Sequence, residues 1–184
     1  MAEPSSNGPD GSDPSLAVRA LADRLALRDL VAAYAGGCDR REPAVVAGTF
    51  TEDGRLAKSA DTTGTGPPAV EWRGRQAIAG VIAGLERYAA TMHFVGQQTV
   101  VLDGDRATGE TYCVAHHLYV KDGRWHDRVM SIRYQDGYRR VGDGWFIDDR
   151  LLIVDWIAYR PLGDPADAPP WAAEQDAAAV RPIP

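Results

Sequence analysis

His93, the adjacent pair His116-His117, Asp39 and Tyr34 are the residues of this sequence whose types could together move a proton. An imidazole that gives one ring proton to a carboxylate has its tautomer fixed, and its other nitrogen becomes a better base. A phenol beside that pair can donate a hydrogen bond to a developing oxyanion. Such a set removes a proton next to a carbonyl and helps to expel a leaving group, with neither metal nor organic cofactor. Singly, each residue has a plainer use. A lone strand histidine is commonly structural, and an Asp after two glycines often only shapes a turn. The combination is informative, so the elements that carry these residues decide the matter.

Ser15 or Asp13 can cap a helix running to about Tyr34, with Leu21, Leu25, Leu27, Leu30, Val31 and Tyr34 at helical spacing. Gly36-Gly37 weaken its end. If the helix continues at about 100° per residue, Asp39 falls at the margin of the stripe Leu27, Val31, Tyr34 and Cys38. From there its carboxylate can reach a space between helix and sheet. Pro43 suits the first turn of a second helix ending near Phe50. A brief strand Arg55–Lys58, a polar loop over residues 59–69 and a third helix Arg75–Tyr88 follow.

Beyond Met92 the apolar period changes to that of strands: His93–Leu102, Ala107–Val120, Asp127–Arg140 and Trp145–Tyr159. Asp103-Gly104-Asp105, Lys121-Asp122-Gly123 and Gly142-Asp143-Gly144 separate them as hairpin turns. Helices followed by an antiparallel meander predict an α+β fold in which N-terminal helices pack on a strongly bent antiparallel sheet that encloses a pocket. Gly96 and Gly109 suit bends or bulges.

Register decides which histidine of the pair accompanies His93. A two-residue turn at Asp103-Gly104 places residues 112, 114 and 116 on the face of His93. A four-residue loop Asp103–Arg106 pairs His93 directly with His116. Both select His116, which with Tyr34, Asp39 and His93 makes the expected catalytic set. A three-residue loop or a single bulge selects His117 instead, because a slip of one residue exchanges the faces. Arg150 could anchor an acidic or phenolic group, or form a salt bridge with Asp148, Asp149 or a partner chain.

The length of 184 residues fits one domain, with 45% hydrophobic and 25% charged residues. Residues 1–14 read as a disordered segment, 15–160 as the domain and 161–184 as an extended Pro/Ala-rich tail that Trp156, Tyr159 and Trp171 could pin. The net charge of −6 argues against nucleic-acid binding. No apolar run of membrane-spanning length occurs, and the N-terminus lacks the features of a signal peptide, so a cytoplasmic location is expected. Cys38 and Cys113 form neither a disulfide framework nor a zinc motif and read as small buried residues. Val95, Tyr119 and Ile132, placed on the outer sheet face, would expose apolar area, so a homodimer or homotrimer is expected.

Several stretches together resemble the SnoaL-like family of the nuclear-transport-factor-like superfamily. They are YAGGCDRRE before AVVAGTFTEDG, WRGRQAIAGVIAGL, MHFVGQQTVVLDGDRATGETYCVAHHLY, MSIRYQDGYRR and GDGWFIDDRLLIVDW. The resemblance spans about residues 20–157 and is more specific for fold than for reaction. It implies a cone-shaped α+β barrel. Within it the set is similar to that of dehydratases of the scytalone and bile-acid 7α types, with Tyr34 and Asp39 ending the first helix, His93 opening the long hairpin and His116 or His117 on the next strand. The resemblance further implies a lyase or isomerase without cofactor or metal, acting on a small hydrophobic cyclic substrate such as a polyketide. Alternatives are a binding protein that uses the same pocket, or an accessory subunit resembling the small subunit of ring dioxygenases. A second tyrosine that dehydratases of this kind carry has no counterpart in RLAKSA after Gly54.

Overall fold

The computed structural model describes residues 14–163. The N-terminal segment and the tail from residue 164, Trp171 included, lie outside the described residues. Helix α1 (Pro14–Asp39) buries Leu27, Val31, Tyr34, Ala35 and Cys38, a stripe at helical spacing that faces the sheet. Leu21 and Leu25, expected in that stripe, are exposed. This half of the helix is held by polar contacts instead: Asp23 accepts the Trp145 Nε1–H at 3.0 Å and pairs with Arg140 at 2.7 Å.

The helix does not stop at its two glycines. A Cβ on Gly37 would lie 2.7 Å from Val46 Cγ2, so glycine there lets α2 (Pro43–Gly48) approach closely. The helix ends two residues further on, where Arg41 N–H donates to Cys38 O at 3.3 Å and Glu42 N–H to Gly37 O at 2.9 Å. These are the paired bonds of a Schellman ending, and Arg41 takes the left-handed position with φ 59°. Asp39 is therefore the last helical residue, held rigidly.

Then come β1 (Phe50–Ser59), β2 (Pro68–Arg73) and α3 (Arg75–Ala83), which tightens into a 3-10 turn, Gly84–Arg87. Four long strands complete the fold: β3 (Ala90–Asp103), β4 (Arg106–Lys121), β5 (Arg124–Val141) and β6 (Gly144–Pro161). Among the described residues the sheet order is β2-β1-β6-β5-β4-β3. The fold is α+β as expected, with two corrections. The sheet is mixed, because β1 runs parallel to β6. In addition, part of the segment expected as loop is the edge strand β2, which opens on Pro68, as an edge tolerates.

Strand pairing slips by one residue at Gly96-Gln97 in β3 and at two places between β5 and β6. Such bulges bend strands and strengthen twist, and the sheet curls into a cone around α1, α2 and α3. Its inner face contributes Cys113, Ala115, Ile132, Tyr134, Tyr138 and Ile147 to one core with Leu27, Val31, Phe50 and Ile78. Val95, Tyr119 and Ile132 belong to this inner side, not to the outer face expected for them. Tyr119 and Ile132 are buried, and Val95 packs on the core.

Candidate active site

The end of α1 and the start of β3 meet. Asp39 Oδ1 lies 2.6 Å from His93 Nδ1, and Asp39 Oδ2 accepts the His93 backbone N–H at 2.8 Å. Both carboxylate oxygens thus hold one residue, which fixes ring and backbone together. The His93 side chain is 8% exposed and that of Asp39 24%. Partial burial pushes the Asp39 carboxyl up, but the hydrogen bonds from the His93 ring and backbone outweigh it and hold it below the usual carboxylate range. An ionised carboxylate only accepts, so the proton sits on Nδ1 and Nε2 is left as the basic nitrogen.

Arg41 secures this meeting. Its guanidinium donates to Leu85 O and, at 3.0 Å, to Tyr88 O, tying the segment that leads into β3 to the end of α1. A left-handed backbone at a non-glycine residue costs about 1–2 kcal/mol, which this clamp offsets.

His117, not His116, shares the face of His93. The hairpin closes with Leu102 opposite Ala107 and Asp103 opposite Arg106, a register that would bring His93 to His116. The bulge at Gly96-Gln97 shifts the remainder, so that His93 faces Ala115. The His117 ring stands 5.8 Å from that of His93, edge to face, and 4.7 Å from that of Tyr88. The expectation for His116 is corrected accordingly: it points to the opposite face, where its Nδ1 is 2.6 Å from Asp127 Oδ2.

His117 Nδ1 is 3.2 Å from the Arg128 carbonyl, so Nδ1 carries the proton. Burial pushes its pKa down, the charges of His93 and Arg128 push the same way, and it falls to about 4. His117 is therefore neutral at physiological pH and offers Nε2 as an acceptor. A histidine of the unfolded chain takes up its proton near 6.5. Between that pH and about 4 the unfolded state binds more protons, so stability falls as the pH is lowered through this window, by about 3 kcal/mol in all. The loss linked to Asp39 comes below this window, because its carboxyl is held under 3.8. Urea unfolding from pH 7 to pH 4 is expected to show this slope, and His117→Asn to remove it.

Tyr34 lies deeper, among buried residues, with its ring edge-on to Phe50 and Tyr134 at 6.0 and 5.8 Å. Burial raises its phenol well above the ordinary value, with Arg150 opposing, so it stays a neutral donor. Among the described residues no hydrogen bond joins it to Asp39 or His93, which bond each other; the helical turn ending in Cys38 connects them. Arg150 is wholly buried, its guanidinium 4.2 Å from the Tyr34 ring centre and 4.3 Å from that of Tyr134. Neither Asp148 nor Asp149 partners it. Asp136 does, in a two-pronged pair at 2.8 Å through Nε and 2.8 Å through Nη2. Tyr138 donates to Asp136 at 2.7 Å and accepts from Gln98 at 3.2 Å. Nη1 of Arg150 is buried without a hydrogen-bond partner among the described residues.

Sequence reasoning missed Asp136, Tyr138, Tyr88, Arg128 and Arg41. For Asp136 a signal existed: in RYQDGYRR it occupies the alternate position between Tyr134 and Tyr138, the inner face of β5. Cys38 and Cys113 are buried free thiols, as expected. Among the described residues no group of three or more His, Cys, Asp and Glu could hold a metal ion, and no helix is long and apolar enough to cross a membrane.

Helices packed inside a coned mixed sheet, with a partly buried His–Asp pair where the first helix ends, define a nuclear-transport-factor-like α+β protein. The chain belongs to the SnoaL-like domain family, whose model matches residues 19–150. Solved structures of similar fold include a hexachlorocyclohexane dehydrochlorinase from Novosphingobium barchaimii, at 16% identity and TM-score 0.68, covering 83% of this chain and 99% of that one. A scytalone-dehydratase-like protein of Novosphingobium aromaticivorans aligns at 19% identity and TM-score 0.65, over 81% of this chain and 97% of that one. A nuclear-transport-factor-like protein of the same organism, with a cystatin-like fold, aligns at 26% identity and TM-score 0.62, over 79% and 90%. No curated protein matches the sequence.

Proposed function

We propose that this protein is a cofactor-independent lyase or isomerase of the dehydratase type, acting on a small hydrophobic cyclic molecule that carries an acidic C–H. The observation that carries this reading is the 2.6 Å bond between Asp39 and His93, with the second carboxylate oxygen on the His93 amide. A pocket that only stores a ligand has no need of a preformed proton acceptor. Two relatives of the same fold, the dehydrochlorinase and the scytalone-dehydratase-like protein, are named for eliminations.

In the proposed reaction His93 Nε2 takes the proton from a carbon beside a carbonyl, and the electron pair left behind moves into an enolate, whose collapse forms the new carbon–carbon double bond. As the carbon–oxygen bond breaks, the imidazolium returns that proton to the departing hydroxyl, and water leaves. Asp39 stabilises the transient imidazolium and keeps the ring aimed. His117, neutral and with Nδ1 held by the Arg128 carbonyl, accepts a hydrogen bond from the hydroxyl and orients it. It does not serve as the acid, because burial keeps it unprotonated. Tyr34 and Arg150 supply positive potential and hydrogen-bond donors for the enolate oxygen. His116 has no part.

The test is to incubate wild-type protein and His93→Ala with small-molecule extracts and follow them by mass spectrometry. The reading expects a compound that the wild type converts to one lighter by a single water, or to an isomer, and that His93→Ala leaves intact. A ligand that both proteins bind and release unchanged would favour a binding protein.

A further inference from the structure

Arginines gather around Tyr88, just before β3 begins. Arg41 donates to its carbonyl at 3.0 Å, and Arg128 Nη1 donates to its hydroxyl at 3.1 Å. The Arg87 guanidinium lies 5.6 Å from its ring centre. The same ring stands 4.7 Å from that of His117, which in turn stands 5.8 Å from that of His93. Positive charge is thus concentrated beside the proposed base, in a chain whose net charge is −6.

These cations differ in what balances them. Arg87 is exposed to water, and Arg41 feels the negative charges of Glu86 and Asp39. Arg128 is half-buried on β5, opposite His117 of β4 and Tyr159 of β6. Among the described residues no carboxylate forms an ion pair with it. Asp127, its neighbour in the chain, turns to the other face and holds His116. The Nε of Arg128 is buried without a hydrogen-bond partner, and Nη1 is bonded only to the neutral phenol of Tyr88. A guanidinium taken partly out of water without a counter-ion is unfavourable, and a ligand that brings the missing charge relieves that cost. Arg150, deeper in the cone, is the opposite case, because Asp136 already neutralises it.

We propose that Arg128 is a substrate-binding residue that anchors a carboxylate, so that the cyclic molecule acted on here is an acid. The proposal rests on the reading of His93 as the base and adds the substrate's second functional group. The outer edge of a guanidinium presents paired N–H groups at the spacing of the two carboxylate oxygens. Tyr88 and His117 link this anchor to His93, so a ring attached to the bound carboxylate can lie along their side chains and reach the base. The two arginines then divide the work. Unpaired Arg128 binds a full charge that does not change during the reaction, and paired Arg150 faces the charge that develops on the enolate. The concentration of arginines also draws an anion towards a protein that repels it elsewhere.

Benzoate and its neutral isostere benzamide are the probes, titrated into the full chain and followed by NMR of the aromatic side chains. Benzoate is expected to bind saturably and to move the signals of Tyr88 and His117. Benzamide should bind at least about 10-fold more weakly, the scale of a hydrogen bond to a charged group. Arg128→Met should lose this preference and Arg128→Lys keep part of it, with circular dichroism unchanged. His93→Ala should bind benzoate as the wild type does. Equal binding of the two probes by the wild type overturns the proposal, whether or not a variant folds. So does benzoate binding that is indifferent to Arg128→Met. Binding is read without turnover, so a failed anchor and a failed elimination reaction are told apart.

Discussion

Replacing His93 by Ala is expected to lower turnover by about 100-fold or more while the protein stays folded, and Asp39→Ala to do the same. His93 supplies the nitrogen that receives the proton, so its loss removes the base outright. Asp39 never touches the substrate proton, yet both of its oxygens are engaged by His93. Without the carboxylate the ring loses its orientation, its tautomer and the negative charge that stabilises the imidazolium. Asp39→Asn separates these roles, since an amide keeps the shape but can donate to the ring and leave the proton on the wrong nitrogen. It should therefore be almost as impaired as the Ala variant. Because the two residues act as one acceptor, the double variant should be little worse than either single one. Turnover is measured on the compound identified from extracts, with circular dichroism as the control for folding. Near-normal rates in both single variants would eliminate the proposed mechanism.

The largest effect on stability is expected at the other polar cluster. Arg150 and Asp136 form an ion pair whose side chains are both 0% exposed. Removing one partner leaves a buried charge without its counter-ion, which typically costs about 3–5 kcal/mol. Asp136→Asn strands the guanidinium between two tyrosine rings. Arg150→Met strands a carboxylate whose remaining donor is the Tyr138 hydroxyl. Either should shift the urea midpoint sharply downward. Replacing both, as Asp136→Leu with Arg150→Met, removes the two desolvated charges together and should recover most of the loss. Single variants that unfold at the wild-type midpoint would show that the pair is solvated and the interior wetter than its geometry indicates.

Much of the architecture was legible in the sequence, because periodicity and turn chemistry are local. Gly104 lies in the β3–β4 turn with φ 58°, in the left-handed region that glycine favours, and the segments around it alternate as strands do. Long-range pairing was not legible in the same way. Nothing near β1 announces that it will run parallel to β6, and PAVEWR is too short and polar to declare itself an edge strand. The choice of His116 over His117 shows where local reasoning stops. Turn chemistry allows the observed turn-proximal register, and Gly96 suits a bulge. Whether that bulge forms depends on how the sheet must curve over α1, which is a tertiary demand. One inserted residue then moved every side chain of β4 near His93 to the other face.

Within the site the helical geometry of α1 sufficed to place Asp39, and the change of period at Met92 to place His93. The placement of Tyr34 on the buried stripe was equally direct, whereas its neighbours were not foreseeable. Arg150 on β6 and Asp136 on β5 find each other through strand pairing, and a run of acidic residues beside Arg150 pointed to the wrong partners, Asp148 and Asp149. The glycines at 36 and 37 misled in the opposite sense. Their propensity argues for a helix end, but contact with Val46 overrides it and carries the helix on to Asp39.

The protonation state of the His93 ring gives the most direct test, and it requires no substrate. Nitrogen-15 NMR of the imidazole at neutral pH is expected to show the proton on Nδ1 and a bare Nε2, and Asp39→Asn to disturb that tautomer. A proton found on Nε2 of the wild-type ring, or a spectrum indifferent to the loss of the carboxylate, would contradict the claim that the two residues form a single proton acceptor.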